Sequence, residues 1–485
     1  MIRFTDGRAA HTIIEEEKIA MAEQFEARLE QFLADPGIRA ELEADFARIV
    51  AVESVAGTAE GAYPYGEACA RALDAALEMG RRMGFRTENH GYRCASILYG
   101  NGATERGVVC HLDVVPASDA GWSAPPFALT KRDGLYIGRG AIDDKGPFIQ
   151  ALYTLRFLKE CGAALPFTIR LLLGSDEEAG SSDLTYFASV CEPPAFSFTP
   201  DAEFPVCVGE KGILSVNIDL GKLPPLFHAL AGGSASNAVP EHAEAVIRME
   251  PGALPRRDGI AVEAGENGYA RVVAAGKPAH AAEPEPGMNA IALLAGYLLE
   301  CVPALPAAEA ALLHFVCEAG SDNYGGLFGI AARNERFGPL TCVASMLSVQ
   351  EGRVVLHCNI RYLPHRRADE VLADIRRALP DFAVERVDSS EGYDAGADDP
   401  RVRALTEAAE AVLNAACPPY TMGGGTYARW LPNTVAFGPA IGRERGRLGP
   451  GKGGPHQIDE YISERELFDG IRIYGRAFLN LAALL

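Results

Sequence analysis

His111 and Asp113 close an apolar run, Gly107-Val108-Val109-Cys110, with only Leu112 between them. An imidazole at a strand end is a good metal ligand. A carboxylate two positions on points to the same side of an extended chain. There it can hold the other ring nitrogen and fix the tautomer. More donors follow. Gly138-Arg139-Gly140-Ala141-Ile142-Asp143-Asp144-Lys145-Gly146 is a glycine-flanked acidic loop. The apolar stretch from Phe167 to Gly174 runs into Ser175-Asp176-Glu177-Glu178, and Phe196 to Pro200 runs into Asp201-Ala202-Glu203. Far downstream, Gly453-Gly454-Pro455-His456-Gln457 supplies a second isolated histidine. Each piece alone has a bland reading; acids after a strand, for instance, also suit the start of a helix. Together they place acids and histidines at the carboxyl ends of strands, where ligands collect in open α/β sheets.

The elements that must position these residues follow from periodicity. Apolar residues recur at helical spacing from Ile13 to Leu33, from Ile38 to Val50 and over Cys69, Leu73, Ala76, Leu77 and Met83. A strand is expected over Ala95–Tyr99, and Pro147 suits a first helical turn after the acidic loop. Strands alternating with helices predict an α/β fold with a mixed, mostly parallel sheet covered by helices. From about Gly212 to Ser390 the pattern loosens into strands such as Ile213–Ile218, Ala245–Met249, Ala270–Val273 and Val354–Arg361, with a helix over Asn289–Glu300. This predicts an α+β domain with antiparallel pairing. α/β character then returns, with a helix over Val402–Leu413, a strand over Asn433–Phe437 and a capping box at Ser463-x-x-Glu466. The boundaries expected are a first domain in two parts, 1–211 and 391–485, interrupted by an inserted domain, 212–390.

The chain's 485 residues suit two domains, and 48% apolar content describes an ordinary globular protein. A net charge of -20 argues against nucleic acid or an anionic membrane as partner. No window has the apolar length to span a bilayer, and the N-terminus lacks the pattern of a signal peptide. The 11 cysteines are scattered, with no C-x-x-C pair. They read as free thiols in a reducing compartment, which makes the cytoplasm the expected location.

The strings HLDVVP, GRGAIDDKG, GSDEEAGS, PDAEFP and GGPHQIDEY resemble, in order and spacing, the landmark motifs of the ArgE/DapE/aminoacylase/carboxypeptidase family of dinuclear zinc metallopeptidases. The detail is most similar to its PepV-type dipeptidases. GKPAHAAEPEPGMNA around His280, CNIRY around Arg361 and MGGGTYAR from Met422 add to the resemblance, which covers nearly the whole chain. It implies that His111, Asp143 and Asp201 hold one metal, and that Asp143, Glu178 and His456 hold the other, with Asp143 bridging. It implies Glu177 as general base, Asp113 orienting His111, and His280 reaching the substrate from the inserted domain as a lid. Asn237, Arg361 and the loop Gly423-Gly424-Gly425-Thr426 would bind substrate. It also implies a cis peptide bond between Asp143 and Asp144. Glu53 departs from the family, where relatives often have proline.

Amide hydrolysis at neutral pH needs an activated water and charge neutralisation, and a metal supplies both. Two ions sharing one carboxylate need at least five protein ligands, which two histidines and three carboxylates provide. With no thiolate in the set, Zn, Mn and Co are all admissible, with zinc the family's default. Glu177 and Glu178 need not be redundant, since neighbours at a strand end point in different directions. The expectation is a metal-dependent dipeptidase acting on dipeptides, monomeric because a lid this large stands in for the dimer partner of shorter relatives. The same metal set would serve an N-acyl amino acid deacylase or desuccinylase. A non-catalytic peptide-binding relative would be expected to lack a ligand or the base, and none is missing here.

Overall fold

The computed structural model describes residues 23–485. The part of the first expected helix that precedes residue 23 lies outside the described residues; 23–34 is helical. The chain divides into two compact units. The first takes Met1–Val208, Ala395–Pro419 and Thr426–Leu485; the second takes Gly209–Asp394 and Tyr420–Gly425.

Four parallel strands form the centre of the first unit's sheet, in the order Thr168–Gly174, Glu105–His111, Phe196–Thr199 and Thr434–Phe437. They are buried on both faces, which is why they read as near-continuous apolar runs. Antiparallel strands flank them: Arg86–His90 and Cys94–Tyr99 on one side, the start of Val206–Glu210 on the other. The sheet is therefore mixed, parallel in the middle and antiparallel at its margins. Helices Pro36–Val50, Glu67–Arg82, Lys145–Glu160, Pro400–Leu413 and Glu464–Ala482 accompany it. Lys145–Glu160 is buried nearly all round, as expected of a helix with little polar face. The capping box before the last helix forms: the Ser463 hydroxyl accepts from the Glu466 N–H, and the Glu466 carboxylate accepts from the Ser463 N–H.

A three-stranded sheet in the same unit was not foreseen. It pairs Tyr461–Ser463 with Leu135–Ile137, and the latter with Thr130–Arg132. Its strands are three residues long, too short for period 2 to register. Yet it determines geometry, because one strand leads into the acidic loop and another follows His456.

The second unit is an eight-stranded, wholly antiparallel sheet that includes Gly212–Lys222, His242–Ile247, Ala270–Ala275, Thr341–Gln350 and Arg353–Tyr362. One sheet face carries Leu214, Val216, Ile218, Leu356, Cys358 and Ile360 into a core shared with the helices Ala290–Cys301 and Ala307–Ser321. Asn289 caps the first of these helices, its Oδ1 accepting from the N–H groups of Ile291 and Ala292. Among the described residues no helix is long and apolar enough to cross a membrane.

Candidate metal centre

Strand ends build the first half of the site. His111 is the last residue of its central strand and is fully buried. Its backbone N–H donates to Asp144 Oδ2 (3.1 Å), and the next N–H, of Leu112, donates to the carbonyl of Gly174 at the end of the neighbouring strand (3.0 Å). Gly174 has to be glycine: a Cβ there would collide with the Tyr427 hydroxyl and the Asp183 carboxylate. That carboxylate accepts from the N–H groups of Ser175 and Asp176 and from Tyr427. It thereby fixes the turn that presents Glu177 and Glu178. Asp201 follows the end of the third parallel strand.

The acids converge on His111. Its Nε2 lies 2.9 Å from Asp143 Oδ1 and 4.0 Å from Asp201 Oδ2. The donor atoms of His111, Glu177 and Asp201, and those of His111, Asp143 and Glu178, form two overlapping groups that share His111 and could hold a cation. His456 arrives from the loop before Tyr461–Ser463. Its Nε2 lies 3.1 Å from Asp143 Oδ2 and 3.0 Å from Glu178 Oε1. The two oxygens of Asp143 thus face two different imidazoles. The Asp143–Asp144 peptide bond is cis.

On the far side of the His111 ring, Nδ1 sits 3.0 Å from the backbone carbonyl of Asp113 and 3.5 Å from its Oδ1. The tautomer is therefore held chiefly by that residue's main chain. The Asp113 carboxylate has a second task, accepting from the N–H of Glu178 (3.0 Å).

Charge tells what the cluster wants. Burial, together with the carboxylates of Glu178, Asp143 and Asp113 and against the pull of His111, pushes Glu177 up to about 8. Burial and the neighbouring Asp143 push Asp201 well above the ordinary range. Burial opposes ionisation of Asp143 too, but hydrogen bonds from His111 and His456 hold it below its usual value. Asp143 and Glu178 in turn raise His456 to about 10. Acids gathered around His111 call for compensating positive charge, and their nitrogen and oxygen donors suit a divalent cation. The residues fit a metal.

Two residues that the sequence did not single out support the loops. The buried Glu460 accepts through Oε1 from the N–H groups of Ile142 (3.0 Å) and Asp143 (3.2 Å). Its Oε2 accepts from Arg139 (2.5 Å). Both residues lie inside recognisable strings, but their partnership spans 321 positions and leaves no local signal.

The residues expected to bind substrate fall in the second unit, apart from Thr426. Ala238 and His280 pair across an isolated bridge, and the Asn237 carbonyl accepts from Ala281 N–H. Thr341 Oγ1 donates to the Ala281 carbonyl and lies opposite Arg361 in the adjoining strand. The buried Arg361 donates to Asn359 Oδ1 (2.8 Å) and to the Gly423 carbonyl (3.1 Å). Gly423 packs so closely on Ala282 that a Cβ would not fit without movement. Asn237, His280, Arg361 and Gly423 thus belong to one neighbourhood of the second unit, with Gly424 and Gly425 following. Thr426 belongs to the first unit, where its hydroxyl accepts from Ala428 N–H at the start of a short 3-10 turn.

The model of peptidase family M20/M25/M40 matches residues 107–480. A Bacillus subtilis protein named "Putative dipeptidase YtjP" is 33% identical over 458 residues, covering 90% of this chain and 96% of the relative. A Staphylococcus aureus protein named "Putative dipeptidase SAUSA300_1697" is 28% identical with the same coverage. Human carnosine dipeptidase 1 superposes with a TM-score of 0.57 at 16% identity, covering 95% of this chain and 99% of that one. Aminoacylhistidine dipeptidase from Vibrio alginolyticus does so with 0.56 at 15% identity, covering 92% and 96%. These two likenesses speak for the fold.

Proposed function

The chain belongs to peptidase family M20/M25/M40, and on that premise we propose that it is a dinuclear metal-dependent dipeptidase. The observation that carries the reading is Asp143, whose two oxygens lie 2.9 and 3.1 Å from the Nε2 atoms of His111 and His456. A carboxylate so placed is built to bridge. His111, Asp143 and Asp201 would hold one ion, and Asp143, Glu178 and His456 the other, zinc before manganese or cobalt. When bound, the ions supply the charge that acidifies a water and polarises the scissile carbonyl.

Glu177 takes the proton from the attacking water and passes it to the leaving amine. Asp113 holds the Nδ1 side of His111 so that Nε2 faces the acids. His280 donates to the oxyanion that develops on the carbonyl oxygen. Arg361, held by Asn359 and Gly423, pairs with the peptide carboxylate. Asn237 and the loop Gly424-Gly425-Thr426 complete recognition of the backbone. The preference for dipeptides is supported by the names of the relatives. Free thiols at all 11 cysteines suit a reducing cytoplasm. The protein is read as a monomer, which light scattering checks.

The deciding experiment strips the metals with a chelator, restores zinc and manganese separately, and assays dipeptides beside N-acetyl and N-succinyl amino acids. Dipeptide cleavage that vanishes on stripping and returns with metal is expected. Cleavage of the acylated amino acids alone would replace the dipeptidase reading with a deacylase, and full activity without metal would end both.

A further inference from the structure

Arg139 and Glu460 form an ion pair that is 4% and 0% exposed. An ion pair buried this deeply pays heavily in lost hydration, and apolar residues of similar volume often stabilise a fold as well or better. What this pair does is local. Glu460 Oε1 holds the N–H groups of Ile142 and Asp143. Its own carbonyl accepts from Gly138 N–H at the start of the same loop (2.9 Å). Arg139 spreads its guanidinium across the other ligand loop, donating to the carbonyls of His456 (3.3 Å) and Gln457 (3.4 Å). Trp122 backs the guanidinium, 5.3 Å from its ring centroid. His456 itself has φ +63°, left-handed backbone that a residue with a side chain adopts at some cost and keeps only where its surroundings insist.

We propose that Arg139 and Glu460 are positioning residues: by gripping the main chains of Asp143 and His456 they set the spacing of these two ligands, and the ion those ligands share depends on that grip. The inference rests on the two-metal reading of the site. Among the described residues the hydrogen bonds that the pair makes to the two loops all go to main-chain groups, while the Glu460 charge also acts on the Asp143 carboxylate. Arg139→Lys, which keeps the charges, separates the grip from that field.

The test uses the full chain, stripped of metal and titrated with zinc against a chromophoric chelator, in wild type, Glu460→Gln and Arg139→Lys. Glu460→Gln removes the charge and turns an amide towards the guanidinium; Arg139→Lys keeps the charge but loses the planar fork. In Glu460→Gln the ion shared by Asp143 and His456 is expected to bind about 10- to 100-fold more weakly, and the other, which keeps His111 and Asp201, to weaken by a clearly smaller factor. kcat falls with KM held, and added zinc restores kcat. Arg139→Lys is expected to move the same quantities less. Two ions bound with wild-type affinity in both variants would overturn the proposal. So would equal weakening of both ions with a lowered melting temperature of the stripped protein and no rescue by zinc, which marks a pair that merely supports the fold. If Glu460→Gln does not fold, Arg139→Lys decides alone. A wild type that binds two zinc ions but cleaves no dipeptide refutes the functional reading and leaves the grip standing; a cleaving wild type with unaltered variants refutes the grip alone.

Discussion

His111 and His456 face the same aspartate from opposite kinds of surroundings. His111 ends a central strand, is 0% exposed, and has its own N–H hydrogen-bonded to Asp144 and that of Leu112 to Gly174. The His456 side chain is 54% exposed on a glycine-rich loop with left-handed backbone. The sheet fixes the first as a by-product of folding, whereas the second needs dedicated partners. A site of this kind is therefore stiff on one side and tethered on the other, and mutations should expose the asymmetry.

The largest effect is expected between the two corners. Glu177→Gln should lower kcat by about 10²- to 10⁴-fold, the usual worth of a general base, while elemental analysis still finds both ions. Loss of an ion together with activity would mean that Glu177 is a ligand. Next comes His111→Ala in the metal-stripped protein. It removes the central partner of buried acids and should cost about 3–5 kcal/mol of stability in denaturant titrations. The third is Asp113→Asn, which keeps the carbonyl that holds Nδ1 but removes the carboxylate charge beside His111 and alters the acceptor of the Glu178 N–H. Turnover should fall about 10- to 100-fold with metal content retained, and an emptied site would show that Asp113 does more than orient. The smallest is His456→Ala in the stripped protein, about 1–2 kcal/mol, because the imidazole is half exposed although its partners Asp143 and Glu178 are buried. Equal destabilisation by the two histidine variants would abolish the contrast.

Much of the stiff corner could be read directly from the amino acids. Strands buried on both faces write themselves as apolar runs, and the polar residue that ends each run stands out against them. His111, Glu177, Glu178 and Asp201 were visible for this reason. The tethered corner showed only as an isolated histidine after Gly453-Gly454-Pro455, with no periodic neighbourhood, and its role came through resemblance. Arg139, Glu460, Asp183 and Tyr427 passed unnoticed because their meaning lies in partners up to 321 positions away. The clustering of Tyr420–Gly425 with the second unit was equally invisible. Six residues carry no shift in composition, and the break in pattern near residue 390 is the one that registers.

The separations along the chain also set an order of assembly. His111 meets Asp143 across 32 positions, whereas His456 meets Glu178 across 278. Closing the longer loop from an unstructured chain costs about 2 kcal/mol more in entropy, since the penalty grows with the logarithm of length. Contacts of such high order form late in folding. The strand-end acids are thus expected to gather around His111 before the last histidine arrives, leaving a folding molecule with room for one cation before two; metal binding that appears only with the final folding phase in stopped-flow would break that order.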